Sequence, residues 1–328
     1  MKLVRRPLAV FASLASLAAM TLIACGGTDG GGANGQPTTD AAPATTDAPT
    51  TPASPDPSEP ANAVEDPVPA SIPALAAFGN RVDVPIDLSC AGNAFPANAA
   101  TATDHEFHAV ELGGDDSTRV AGAKIELFDD NVLKVPADTT ITSPDGDATT
   151  KGLFHASVAP GWIAYRVTNP PDGYLPIYAT DLEVPVSGVV LPAIPSQGKV
   201  DILSALIGPS GYTASKGSGR AVVRVVDCKY NQVQNAHVTI EIDGKSTAPK
   251  KSDGVLRGYF TDAEFPGTSQ WTSRSGVVAF LEIPGTAKTV RVVARGMLGG
   301  VEQVIAVRNL PMVVDGITTA KLFPYKTY

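Results

Sequence analysis

Four histidines and three cysteines are the side chains of this sequence best suited to metal or nucleophilic chemistry. His105 and His108 form H-x-x-H with Glu106 between them. In an extended strand, positions three apart face opposite ways, so the pair chelates one ion only where the chain turns. The zincin pattern H-E-x-x-H on a helix is one residue longer. His155 and His237 fall at positions expected to face outward on their strands. For nucleophilic catalysis, the hydroxyl-rich GTSQWTSRSG matches neither G-x-S-x-G nor S-x-x-K and reads as a surface loop. KGSG lacks the length and the Lys-Ser/Thr ending of a phosphate-cradling loop. The acidic stretches GGDDST, FDDN and SPDGDATT contain no twelve-residue EF-hand loop, and Asp beside Gly or Asn is ordinary turn chemistry. No catalytic residue, no metal ligand and no cofactor is therefore expected.

Cysteine usage is more informative. Cys90 and Cys228 either bond to each other across the two halves of the chain or remain separate buried thiols; an extracytoplasmic location permits the bond. Cys25 stands apart, at the end of an apolar run. Lys2, Arg5 and Arg6 form a positive start, and residues 7–23 are apolar apart from serines and one threonine. That run is short for a membrane span and has the layout of a signal peptide. Leu22, Ile23, Ala24 and Cys25 together resemble the lipobox of bacterial lipoproteins. The resemblance implies cleavage before Cys25, acylation of its thiol and amino group, and a bilayer-lipid partner held at ~0.8 kcal/mol per buried CH₂. Gly26 stands where that family's inner-membrane retention signal would place aspartate, which favours the outer membrane.

After Cys25 comes a stretch to about residue 71 without an aromatic side chain, dominated by Pro, Ala, Thr, Asp, Gly and Ser. Such composition buries too little apolar surface to offset chain entropy and is expected to be a disordered, proline-stiffened tether. With Lys2, Arg5 and Arg6 removed, about 22 basic residues face 33 acidic ones, a net near −11. No basic cluster interleaved with aromatics offsets that charge, so nucleic acid is excluded as a partner.

The remaining ~250 residues suffice for two ordinary domains. Helical periodicity is nearly absent, and short apolar alternations are broken by Gly, Pro, Asn and Asp, as in an all-β sandwich. In HVTIEID, Val238, Ile240 and Ile242 share one face, and in AKIELF Ile125 and Leu127 do so. The strands also repeat. RVAGAKIELFDDN from Arg119 parallels QVQNAHVTIEIDG from Gln232, with Ala123 and Ala236 leading equivalent strands. TTKGLFHASVAPGWIAYRVT parallels TSRSGVVAFLEIPGTAKTVRVVA, with Gly152 and Gly276 opening the strand. Two tandem Ig/transthyretin-like β-sandwiches of about seven strands each are expected.

The strand-turn-hairpin grammar resembles carboxypeptidase regulatory-like and transthyretin-like sandwich domains. DLSCAGN and VVDCKYNQVQNAHV also resemble tandem β-domain lipoproteins of Gram-negative bacteria. Both resemblances imply a surface scaffold or binding module and bring no catalytic residues. VVDCKYNQVQNAHVTI is further similar to the core of intradiol ring-cleaving dioxygenases, whose iron is held by two tyrosines and two histidines. His237 is the only histidine of that half, so with Tyr230 and Tyr259 the set is one ligand short.

The expected organisation is a signal peptide at 1–24, a tether at 25–75, a first sandwich at 76–198, a linker at 199–219 and a second sandwich at 220–328. Ile202, Leu203, Leu206 and Ile207 have helical spacing, with Asp201 as a candidate cap and Gly208–Pro209 as the stop. The best candidate binding loop is DAEFPGTSQWTSRSG, carrying Phe265 and Trp271, because long loops on rigid scaffolds carry function. The expected function is a lipid-anchored, non-catalytic envelope module for adhesion, binding or scaffolding, with a protein or glycan partner. The alternative is an accessory subunit or hydrolase-like enzyme with a loop-borne site.

Overall fold

Alternating apolar residues need a second layer to cover their buried face, and the chain supplies it in a way the tandem repeat does not foretell. The computed structural model describes residues 66–99, 101–130, 133, 136–147, 150–209, 212–247 and 254–326. Cys25 and residues 22–24 lie outside them. Among the described residues the architecture is all β with one helix, and no helix is long and apolar enough to cross a membrane.

Nine strands from both halves form one continuous sheet. In spatial order they are Pro266–Gly267, Leu256–Phe260, Val277–Pro284, Ser218–Val225, Ile317–Leu322, Ile177–Val184, Gly161–Val167, Lys124–Phe128 and Pro136–Thr142. The C-terminal part is covered by a four-stranded sheet of Lys245–Thr247, His237–Ile242, Val290–Leu298 and Val301–Leu310. The N-terminal part is covered by Thr103–His108, Leu153–Val158 and smaller strands. Two separate apolar cores result. One gathers Val223, Val238, Ile240, Phe280 and Val292; the other gathers Phe107, Ile125, Leu127, Ile163 and Tyr165.

The internal repeat has a geometric counterpart. Ala123 donates its N–H to Ser143 Oγ at 2.9 Å, and Ala236 donates to Thr272 Oγ1 at 2.9 Å. Gly152 and Gly276 both adopt positive φ, +71° and +66°. A Cβ there would meet the Ala109 carbonyl at 3.0 Å and the Val225 carbonyl at 2.7 Å respectively, so glycine is required at both.

The halves meet at the seam where Ile317–Leu322 runs parallel to Ile177–Val184, pairing Ile317 with Ile177 and Thr319 with Ala179. A register shift between Ile163 and Tyr165 lets the partner strand bulge at Thr180–Asp181. Asp181 takes φ +62° and is fully buried. Bulges re-aim side chains, and this one brings the Asp181 carboxylate to Arg308 of the second half. It also accepts the Lys321 N–H at 3.0 Å. Arg308 in turn donates to the Lys321 carbonyl at 2.9 Å. Nearby, Trp162 packs with Tyr230 and Phe323 and carries Lys321 Nζ 4.2 Å above its ring.

The N-terminal segment departs from the expected boundary at 76. Ala76–Gly79 pairs antiparallel with Gln232–Gln234, and Leu75, Ile86 and Leu88 pack on the C-terminal core. Residues 66–90 therefore belong to the second sandwich, and residues 66–75, expected within the tether, include buried Ile72 and Leu75. Cys90 and Cys228 are joined by a disulfide with Cα atoms 5.7 Å apart. Buried Asp227 organises the same corner, accepting N–H groups from Asp87, Lys229 and Asn231.

The helix is Gln197–Ile207. Asp201 lies inside it, bonded by Gln197 Nε2 at 2.6 Å, and is not the cap. Val200, Leu203 and Ile207 pack on the outer face of the nine-stranded sheet against Leu175, Val222, Phe260 and Ile317. Ile207 sits so close to Gly258 that a Cβ there would approach it to 2.6 Å.

Two stability outcomes follow. Replacing Arg308 by Met leaves Asp181 buried without its cation and should cost about 3–5 kcal/mol in denaturant unfolding. Replacing both Cys90 and Cys228 by Ser should cost about 2–5 kcal/mol and leave the fold otherwise intact by circular dichroism.

Candidate functional site

A cavity of about 640 Å³ opens beside His237, Arg257 and Tyr259 of the second sandwich. The short strand Lys245–Thr247 pairs with Ile240–Ile242, and among the described residues no strand lies beside that edge at His237–Thr239. Backbone groups at a buried edge need other partners. Tyr259 from the opposite sheet supplies them: its hydroxyl accepts the Val238 N–H at 2.9 Å and faces the Val238 carbonyl at 3.3 Å. Arg257 donates Nη1 to the same carbonyl at 2.8 Å, with its guanidinium 5.1 Å from the Tyr259 ring centroid. Burial pushes the Tyr259 phenol up to about 12.

His237 was expected to face outward but is 1 % exposed. Its Nδ1 lies 2.9 Å from the Gln270 carbonyl, and its Nε2 lies 3.4 Å from Asp66 Oδ1. At that length the second contact is an ion-pair approach rather than a formed hydrogen bond, and Nε2 makes no other. Both ring nitrogens thus face oxygen atoms, the Gln270 carbonyl on one side and the Asp66 carboxylate on the other. Asp66 also pairs with Arg257, using Oδ2 on Nη1 and Oδ1 at 3.4 Å from Nη2. Burial alone would raise the Asp66 carboxyl, but His237 and Arg257 outweigh it and hold the group below its ordinary value.

The remaining walls come from Pro67 and Pro69, the helix end at Leu206 and Ile207, and the loop Gly267–Gln270. That loop belongs to the segment singled out by its aromatic residues. Phe265 and Trp271 are half-buried, and Phe265 returns its carbonyl to Thr261 N–H at 2.7 Å. They flank the cavity-lining residues in sequence rather than lining the cavity themselves. Asp66 and Arg257 were not singled out by sequence: the first sits in a low-complexity stretch, and the second is an ordinary strand arginine. The lone signal was His237 with Tyr259, read as an incomplete ligand set.

The other histidines have individual partners. His108 is buried between Asp116 and Glu106, with Glu106 Oε1 2.6 Å from Nε2. Arg119 holds Asp116 at 2.7 Å; this bond, more than His108, keeps the Asp116 carboxyl below its ordinary value against the opposing effect of burial. His105 is buried against Thr103 Oγ1 at 2.8 Å, and His155 is exposed beside Asp104 at 3.1 Å. No group of three or more His, Cys, Asp or Glu able to hold a metal occurs among the described residues.

No family model matches the chain, and no curated protein matches it. Among solved structures it aligns with the Bacillus anthracis TIE protein at 14 % identity and TM-score 0.22, over 67 % of this chain and 33 % of that one. It aligns with a streptococcal ancillary pilin at 13 % identity and TM-score 0.20, over 68 % and 62 %. The C-terminal fragment of the pilus adhesin SpaC from Lactobacillus rhamnosus GG aligns at 13 % identity and TM-score 0.17, over 68 % and 98 %. The chain thus spans a third of the first protein and less than two thirds of the second, and TM-scores this low establish no common fold with any of them.

The Asp66 contact has a defined pH dependence. A folded-state pKa depressed below 3.8 stabilises above that value and is lost as pH falls through the depressed pKa. Ile72 N–H, bonded to the Pro69 carbonyl at 3.0 Å, reports on the same segment. Its hydrogen-exchange protection should persist at about pH 5 and fall only below the ordinary carboxylate range. Loss of protection on going from neutral pH to about pH 5 would contradict an Asp66-held segment.

Proposed function

We propose that this chain is a lipid-anchored, non-catalytic module of a bacterial cell envelope, presenting a rigid double sandwich to a protein or glycan partner. The observation that carries this reading is the seam. Tandem domains on a flexible linker move independently, whereas here one continuous sheet joins the two sandwiches and a buried ion pair braces the joint. Such a body suits display or load-bearing. The motif Leu22-Ile23-Ala24-Cys25 supplies the anchor in this reading, the stretch after it the spacer, and Gly26 favours the outer membrane. Phe265 and Trp271 lie on the loop bordering the cavity and serve as its contact residues for the partner.

The enzymatic alternative draws on the Asp66–His237 pair within a cavity. A hydrolase of that type needs one histidine nitrogen turned toward a nucleophile. Both nitrogens of His237 are turned instead toward Asp66 and Gln270. The pair therefore supports ligand positioning better than catalysis.

Anchoring is tested by replacing Cys25 with Ser in the full chain. Incorporation of labelled palmitate should be lost, and the protein should move from the carbonate-resistant membrane fraction to the soluble fraction. Retention in the membrane fraction without label would overturn the lipoprotein reading.

A further inference from the structure

We propose that the cavity beside Arg257 is a recognition site for an extended peptide carrying an acid–proline dipeptide, and that the chain's own Asp66–Pro67 occupies its charged end. This deepens the reading of the chain as a binding module by naming the ligand class. Arg257 is oriented without help from Asp66, because its guanidinium is fixed by the Val238 carbonyl and the Tyr259 ring. His237 is likewise oriented by the Gln270 carbonyl, with Nε2 aimed at the same carboxylate and otherwise unpartnered. Two preset nitrogen groups converging on one carboxylate make a built site rather than an incidental surface pair. Among the described residues Asp66 is the one acidic residue lining the cavity, so its departure removes the carboxylate that the arginine and the histidine face.

The rest of the cavity matches proline. Pro67 and Pro69 line it together with Leu206, Ile207 and Leu256. Proline-rich segments are already extended, so their docking orders few dihedrals. The volume of about 640 Å³ left with Asp66 in place lies within the range of ligand sites, roughly 300–1,000 Å³. The resident segment is also not unique in sequence. Acid–proline dipeptides occur at Asp56–Pro57, Glu59–Pro60 and Asp66–Pro67. Each presents a carboxylate followed at once by a ring that fixes the backbone, so the site reads a pattern that a partner can offer in place of Asp66.

The test uses the full chain carrying Asp56→Ala, Glu59→Ala and Asp66→Ala together, which removes every competing dipeptide in cis. The probe is a fluorescent peptide of residues 54–60, Ser-Pro-Asp-Pro-Ser-Glu-Pro, followed by anisotropy. The triple variant should bind it at least about tenfold more tightly than the unaltered chain, whose own segment competes at an effective concentration of about millimolar. A peptide with Asn and Gln in place of Asp and Glu should bind the triple variant at least about tenfold more weakly. Adding Arg257→Gln should do the same to the acidic peptide, and the amide peptide keeps the test decisive should that variant misfold. Equal binding by the unaltered chain and the triple variant would overturn the proposal, as would equal binding of the acidic and amide peptides. Competition by glucuronate at the same concentration as the peptide would overturn it too, by showing that a carboxylate alone is read. None of these outcomes touches anchoring through Cys25, so the two readings fail separately.

Discussion

The parallel pairing of Ile317–Leu322 with Ile177–Val184, held by Asp181 and Arg308, governs what the rest of the molecule does. A sheet edge left open is a template for any passing strand, and each sandwich here closes one edge on the other. The ion pair adds direction to that closure. In a dry interior two charges gain little over apolar packing, but either one alone is costly. The arrangement in which Asp181 meets Arg308 and the Lys321 backbone is therefore set apart from slipped pairings that would strand one of them. With the sheet continuous, its outer face becomes broad enough for the helix Gln197–Ile207 to dock across it.

The N-terminal segment is the second organising element. Between Asp66 and Cys90 it passes along the C-terminal sandwich, adds a strand beside Gln232–Gln234 and ends at the disulfide to Cys228. Only then does it enter the first sandwich. A pull applied at the N-terminal end would thus act on the C-terminal half first, through Asp66 and then through the added strand and the covalent bond. The cavity sits at the start of that path, where Asp66 meets Arg257.

Much of the strand content was legible because alternation in segments such as Ile125–Leu127 and Val238–Ile240 leaves little choice of period. The internal repeat was equally legible. It survives as matched hydrogen bonds at Ala123 and Ala236 and matched left-handed glycines at 152 and 276. The outward face was less so. Thr239 and Glu241 are buried although the alternation places them outside, since Arg291 covers Glu241 and Thr239 faces the Val293 carbonyl. His237 was misplaced for the same reason: period two says which residues share a face, not whether a later segment covers it.

The amino-acid sequence by itself determined the β architecture, the twofold repeat, the glycine positions and the residue types around Cys25, because these depend on neighbours a few residues apart. Tertiary structure alone decided the seam, the assignment of residues 66–90 to the second sandwich, and the meeting of Asp66 with His237 and Arg257. Those contacts join residues more than a hundred positions apart. They are selected by which edges remain unpaired and which charges remain buried after each half has folded, and no local pattern encodes that remainder.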